Sequence, residues 1–544
     1  MKKVSFIVAA ILVVLQGCTD HFNELNVNPA SFAEVEPGTQ LTKIQLDMTG
    51  NRELVWYEDL GITSPLAQQL SGSWWVQHGG QYRTTERSHF YSLWEQTYPR
   101  EIKNITDIIR VTANDPNQVN MNSVARMMRV YIFAKLTDLY GDIPYSEAAQ
   151  GYTQGIFLPK YDKQEAIYAD FFKELDEAVR GMDNARPRAT GDIWYSGDVN
   201  KWRKFGNSLR LRLGMRLTKV NAAEAQKQVA AAIAAPGGLM ESVADNAVTR
   251  HAATPFTAGS GDITGNGRSQ VFQSTNNSES YRLTRPLVNL MKNQNDPRLF
   301  IFGGTYLKVE AGGIYPGDAE SNPAANDITP YLQMGIEPGY FAWSAWADQP
   351  NVRVADGQTI TVGSQEKFMQ PSKYVAALNA PFFHLTYAEV KFLLAEAAVR
   401  GWNVPGSAEE NFMQGLEAAV ASAEQYPGAP ATSTTALNTF KESYASIFGG
   451  GNTQDKLEAI GEQLWLNFFL NGAEAYSSWR RTGYPQLVPF TRTPEGEVST
   501  TNGVIPRRLF YPSSEAIQNS ANYNEAISRM GGDNWLNRVW WDAQ

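Results

Sequence analysis

At 544 residues the chain is too long for one simple core, so two or three packed subdomains are expected. Its formal net charge of −9 excludes the basic footprint that nucleic-acid phosphates need, and argues equally against electrostatic docking on anionic lipid. The 14 Trp and 24 Tyr exceed what a core alone usually uses, so part of that stock is expected on a binding surface.

The first seventeen residues read as an export signal. Lys2 and Lys3 precede an apolar run, residues 4–15, too short to span a bilayer as a mature helix. Leu15-Gln16-Gly17-Cys18 then looks like a lipobox, with Cys18 the lipidated residue. Cys18 is the only Cys, so no internal disulfide can form. Removing residues 1–17 leaves 45 basic and 56 acidic residues, a charge of −11. Residues 18–38 are polar and carry Pro29 and Pro37, as expected of a tether between lipid and globule.

Residues 39–235 form the N-terminal helical part. Helical spacing runs through 41–57, 90–111, 124–140, 164–181, 201–219 and 222–234. The 124–144 stretch is the most apolar: Val124, Met127, Met128, Tyr131, Ile132, Leu136, Leu139 and Tyr140 share a broad face, and Val130 and Phe133 extend it. It should lie buried among other helices. Gly141 is expected to close it in the left-handed conformation, and Pro144 cannot continue it. Asp138 and Asp142 sit at its C-terminal end, where the helix dipole disfavours negative charge, so an Arg or loop N–H groups must compensate them.

Residues 236–383 are rich in Gly, Asn, Ser, Thr and Pro and lose the long helical periods. A loop-rich insertion with a few short strands is expected. Helices return over 384–544. One covers 385–400 and ends at Gly401; Ser407 and Glu410 make a capping box for the next. Ala398-Val399-Arg400-Gly401 repeats Ala178-Val179-Arg180-Gly181 at another helix end, as stacked tetratricopeptide-type pairs would. Residues 455–481 read as one more long helical run.

No catalytic constellation stands out. The five histidines, His21, His78, His89, His251 and His384, show no metal-ligand spacing, and neither G-x-S-x-G nor a P-loop is present. The Gly-rich residues 261–267 lack the P-loop Lys and read as a turn. No cofactor or metal is assigned. Sugar rings stack their C–H faces on Trp and Tyr while Asn, Gln, Asp and Arg bind their hydroxyls. Two clusters have that mixture. The first is Trp74, Trp75, Gln77 and His78 with Tyr82 and Arg83; the second is Tyr340, Trp343 and Trp346. Adjacent Trp74 and Trp75 cannot both face one helix core. Trp465, Phe468 and Phe469 fall at core spacing, Trp535, Trp540 and Trp541 at tail-anchoring positions, and Arg480 and Arg507 where they would hold turns.

Several motifs resemble those of SusD/RagB outer-membrane lipoproteins. They are residues 139–145 (LYGDIPY), Asn295-Asp296-Pro297-Arg298, residues 479–485 (WRRTGYP) and residues 505–512 (IPRRLFYP) with Glu515, Asn522 and Tyr523. The resemblance implies a mainly α fold of tetratricopeptide-like helix pairs with an irregular ligand-facing part. It implies attachment to the outer membrane at the cell surface, a SusC-like TonB-dependent barrel as partner, and capture of oligosaccharide or peptide without turnover. A surface glycoside hydrolase on a helical scaffold, or a helical adaptor that binds no ligand, remain alternatives.

Overall fold

A computed structural model of the chain describes residues 35–72, 75–84, 87–254, 265–273, 281–304, 307–310, 313–316, 334–340, 351–353, 359–361, 368–493, 496 and 498–544. Cys18 with nearly all of the tether, Trp74, Trp343, Trp346 and most of the Gly-rich 261–267 stretch lie outside the described residues.

Helix α1 (Pro37–Asp47) starts with Pro at its first position, and the Glu36 carboxylate accepts from Thr39 N–H at 2.9 Å. The helix expected over 41–57 is split. Gly50 turns with φ +81°, Asn51 caps a new turn, and the chain then widens into a π-helix, Val55–Thr63. A second π-turn, Tyr98–Ile102, interrupts the next run just before α2 (Lys103–Thr112). Pro99 has no N–H to give to the turn before it, which accounts for the local widening.

Helix α3 (Val119–Tyr140) is enclosed on nearly every side, with Val130 and Phe133 fully buried as its composition requires. Gly141 ends it with a positive φ of 89°, but with ψ −125°, an extended mirror-image conformation rather than a left-handed helical one. Both terminal acids find partners. Asp138 accepts from Trp541 Nε1 at 2.7 Å and lies 3.1 Å from Arg216, and Asp142 pairs with Arg529 at 2.8 Å and caps Gln164 N–H. The C-terminal tail is thereby anchored on α3, with Trp535 and Trp541 buried.

The scaffold continues as helices packed each on the next: α4 (Gln164–Gly181), α5 (Val199–Arg216) and α6 (Ala222–Ala234). After α7 (Arg285–Asn293) come α8 (Tyr387–Val399) and α9 (Ala408–Ala423), joined through Gly401 at φ +78°. The Ser407–Glu410 capping box is present in both directions, at 3.1 and 2.8 Å. Then follow α10 (Thr434–Gly450), α11 (Thr453–Asn467), α12 (Gly472–Thr482) and, near the end, α13 (Ser520–Arg529). The run expected over 455–481 is therefore two helices. Leu470, at φ +65°, makes the corner between α11 and α12. Trp465, Phe468 and Phe469 are buried there. Buried ion pairs tie α5 to α8 and α12: Arg212 to Glu389 at 2.5 Å and Arg216 to Glu474 at 2.7 Å.

Strands are short antiparallel ladders that stitch loops to the helices. Leu70–Ser71 pairs with Arg282–Leu283, Gly303–Gly304 with Gln370–Pro371, and Ala247–Thr249 with Phe382–Leu385. The fold is mainly α, built of tetratricopeptide-like helix pairs with one hydrophobic core running through most of them. No helix among the described residues is long and apolar enough to cross a membrane.

Candidate functional site

The π-helix Val55–Thr63 has two working faces. Inward, Glu58 is held by Lys135 at 2.9 Å, and Asp59 by Arg268 at 2.5 Å and Ser64. Outward, Trp56 and Tyr57 are half-buried and lie nearly parallel, ring centres 5.5 Å apart and planes at 11°. His89 continues the row, 4.5 Å from Tyr57 at 14°. Trp75 stands across all three, at 85°, 87° and 89° and at 5.0, 5.6 and 4.6 Å. Edge-to-face contact is the arrangement that the ring quadrupoles favour, so the four rings hold one another in place. Arg52 covers Trp56 from one side at 5.2 Å.

The segment that carries Trp75 is clamped by close approach. A Cβ on Gly79 would lie 2.1 Å from the Ile62 carbonyl oxygen, so only Gly lets this turn sit directly on the π-helix. Behind Trp75, His78 is almost fully buried; its Nε2 lies 2.9 Å from Nδ1 of His89. Burial, with His89 beside it, pushes the His78 imidazole down to about 3. The inner ring is therefore neutral at physiological pH. The pair is a polar strut behind an aromatic corner.

Of the second cluster singled out in the sequence only Tyr340 is described, and it sits against the 71–81 segment that carries the first. Tyr340 O accepts from Gly72 N–H at 2.9 Å and Ser71 Oγ at 3.0 Å, and Gln81 Nε2 donates to Gly339 O at 2.8 Å. The Tyr340 ring packs edge-on against Phe490. Among the described candidates, Trp75, Arg83 and Tyr340 are half-buried, whereas Gln77, His78 and Tyr82 are buried. Tyr82 offers no face to a ligand: it packs edge-on against Phe490, and its carbonyl accepts from Thr500. Its strained φ of +53°, like the +55° of Gln68, belongs to the joint that fastens this corner to the 486–504 segment.

Trp56, Tyr57 and His89 were not singled out. Trp56-Tyr57 was hidden in a stretch that reads as ordinary amphipathic helix, and nothing in the spacing announces a π-turn. The signal that could have exposed them is Gly50-Asn51, a stop and a cap in the middle of the expected helix.

On the inner side of the π-helix lies a small pocket of about 40 Å³ lined by Asp47, Glu58, Glu101, Tyr131 and Lys135. It has room for a water or two and not for a sugar ring. A cleft of about 440 Å³ between α2, α3 and the 146–150 loop is lined by Arg126, Arg129 and Glu174 and carries no Trp or Tyr. At the Trp56–Trp75 corner, flat ring edges and faces meet with the Arg52 cation over Trp56.

Comparison with known proteins gives the family. A SusD-like family model described as "Starch-binding associating with outer membrane" matches residues 29–512. Among solved structures, a chitin-binding protein is 36% identical with a TM-score of 0.77, covering 94% of this chain and 100% of its own. A Bacteroidetes SusD-like protein, AC2a, is 29% identical with a TM-score of 0.81 over the same shares. A chitin-binding SusD homolog from Flavobacterium johnsoniae shares the fold at 21% identity and a TM-score of 0.69, covering 93% of this chain and 98% of its own. A search of curated proteins gives no match. The protein belongs to the SusD-like family of carbohydrate-binding proteins associated with the outer membrane.

Proposed function

We propose that the chain is a cell-surface receptor that captures oligosaccharide on the corner formed by Trp56, Tyr57, Trp75 and His89 and passes it to a SusC-like TonB-dependent barrel. The observation that carries this reading is the perpendicular meeting of Trp75 with a parallel row of rings. A corner of that kind presents apolar faces and edges to the C–H surfaces of a pyranose. Arg83 and the start of the Tyr340 segment supply polar groups at its margin. The chitin-binding relative makes β-linked N-acetylglucosamine oligomers the first ligands to test.

Non-covalent capture also fits the placement of the nearest acids. A glycosidase needs two carboxyls facing the scissile bond. Glu58 and Asp59 are buried, turned inward and engaged by Lys135 and Arg268. In this reading Cys18 carries acyl chains that hold the globule at the outer membrane.

Calorimetric titration with chito-oligosaccharides and malto-oligosaccharides, with product analysis of the same mixtures, tests the proposal. Saturable binding without cleavage, lost in Trp75→Ala, is expected. Cleavage products, or binding that survives removal of Trp75 and Trp56 together, would sink it.

A further inference from the structure

Among the described residues, the four most exposed large apolar side chains occur at one place. They are Tyr152 at 94%, Ile517 at 80%, Phe157 at 76% and Leu158 at 58%. Tyr152 sits in a single helical turn, Gly151–Gln154, closed by Gly155 at φ +70°. The Phe157 ring lies over Gly151, 3.2 Å from where a Cβ would be. Asn522 and Asn519 donate to the carbonyls of Leu158 and Pro159 at 3.1 and 2.8 Å, which seats the Ser513–Gln518 helix with its Ile517 against the same loop.

This loop is firmly built. Gly155 N–H closes on Gly151 O at 3.0 Å, Lys160 N–H on Glu147 at 2.9 Å, and Tyr161 OH on Glu515 at 2.6 Å. A backbone so fully bonded has no need of outward Phe and Tyr side chains for its own stability. Exposed apolar clusters on a soluble surface mark contacts.

The position of the tether indicates what covers them. The described chain enters at Val35, and α1 is pinned to α2 by Gln40 Nε2 to Asp107 at 3.1 Å. Lys103, one turn earlier on α2, lies over the Tyr152 ring at 6.0 Å. The tether from Cys18 therefore joins the globule on the flank that carries the apolar tip. The seventeen residues from Cys18 to Glu34 can span at most roughly 60 Å. A convex tip of four side chains is also far smaller than the 20–30 residues per side, roughly, of a stable protein interface. It fits shallow insertion among lipid chains, with aromatic rings at the headgroup level.

We propose that the tip formed by Tyr152, Phe157, Leu158 and Ile517 inserts into the lipid surface to which the Cys18 tether leads, and so fixes the orientation of the globule on the membrane. This rests on the lipid-anchor reading above. The contact is apolar, so it operates on zwitterionic lipid in spite of the acidic chain.

The test uses the mature chain carrying Cys18→Ser, without acyl groups, and vesicles of equal parts phosphatidylcholine and phosphatidylethanolamine. Flotation should recover it with the vesicles, and Tyr152→Ser, Phe157→Ser, Leu158→Ser and Ile517→Ser together should lower recovery at least about tenfold, since no large apolar side chain is then left at the tip to bury in lipid. Tyr152→Trp should show blue-shifted emission on vesicles and quenching by brominated lipid. Equal recovery of the two proteins, no recovery of either, or no quenching would overturn the proposal. So would a tip variant whose effect is only to turn a dimer into a monomer. Mass analysis of Cys18 in the membrane-extracted protein reports separately on the anchor.

Discussion

Trp75 meets Trp56 edge to face, ring centres 5.0 Å apart and planes at 85°, although the two come from different elements. Trp56 rides on a π-helix and Trp75 on the turn clamped above it. Neither ring is held by its own backbone alone, so the corner depends on both elements and on the contact between them.

Replacing either ring should therefore cost binding beyond its own contact area. Trp75→Ala removes the wall against which Trp56, Tyr57 and His89 all rest and should weaken oligosaccharide binding by roughly a hundredfold or more. Trp56→Ala should weaken it by roughly tenfold, since an aromatic pair adds about 0.5–1.5 kcal/mol beyond burial. Calorimetric titration of both variants and the double variant decides it. Purely additive losses would mean that the rings act independently.

Gly79 should behave as part of the site without touching ligand. A methyl group there would have to occupy space 2.1 Å from the Ile62 carbonyl, which is backbone and cannot swing aside. Gly79→Ala should displace the Trp75 turn, lowering stability by roughly 1–3 kcal/mol and affinity by at least tenfold. Gly449→Ala, in the last turn of α10 where a Cβ would meet nothing within 4 Å, is the control: it should leave affinity unchanged and should not lower stability. Denaturant titration and binding are the two readouts.

The fold was legible where burial and helical period agree. The α3 run, the Ser407–Glu410 cap and the need for partners at Asp138 and Asp142 all follow from local chemistry that the tertiary structure reinforces. Two expected long helices are broken where single residues, Gly50 and Leu470, adopt positive φ; Gly50-Asn51 carries a local stop signal, whereas nothing in the residue type of Leu470 announces its turn. At the proposed corner, Trp75 could be picked out from the sequence because aromatics beside amides stand out in any window. Trp56 and Tyr57 were not, because a π-turn changes which side chains face outward while leaving the sequence pattern helical. Tyr82 shares the composition of a binding residue and is a buried joint.

Glu101 lines the small pocket on the inner side of the π-helix and has a carboxylate oxygen without a partner. Burial, with Asp47 nearby, pushes it up to about 8. In the unfolded chain it ionises near 4.5, so between about pH 4.5 and 8 folding must retain a proton that the unfolded state releases, and stability falls as pH rises. Glu101→Gln keeps the neutral form permanently. It should stabilise the protein by roughly 1–3 kcal/mol at pH 7.5, with the gain vanishing near pH 4.5. A variant that destabilises equally at both pH values would show that the carboxyl is held by an interaction Gln cannot replace.

Acid should act in the opposite sense through three buried imidazoles. Burial is the main cause in each: it pushes His78 down to about 3, His251 to about 4, and His384 well below the usual range, with Arg268 and Arg212 adding to the effect at His384. His384 is further locked by Thr249 Oγ1 at 2.8 Å and Tyr131 OH at 3.2 Å, and its ring lies 4.3 Å from Trp194. In the unfolded chain each takes a proton near pH 6.5. Their contribution is therefore complete above that pH and is lost as pH falls toward the folded values, at up to about 1.4 kcal/mol per pH unit for each ring. Glu101 and Glu462, the latter pushed up to about 7 by burial, oppose this trend as pH falls. The measurement is cleanest in the Glu101→Gln, Glu462→Gln background. There the melting temperature should fall steadily from pH 7 to pH 5. A flat or rising melting temperature would mean that these rings take up protons inside the folded protein.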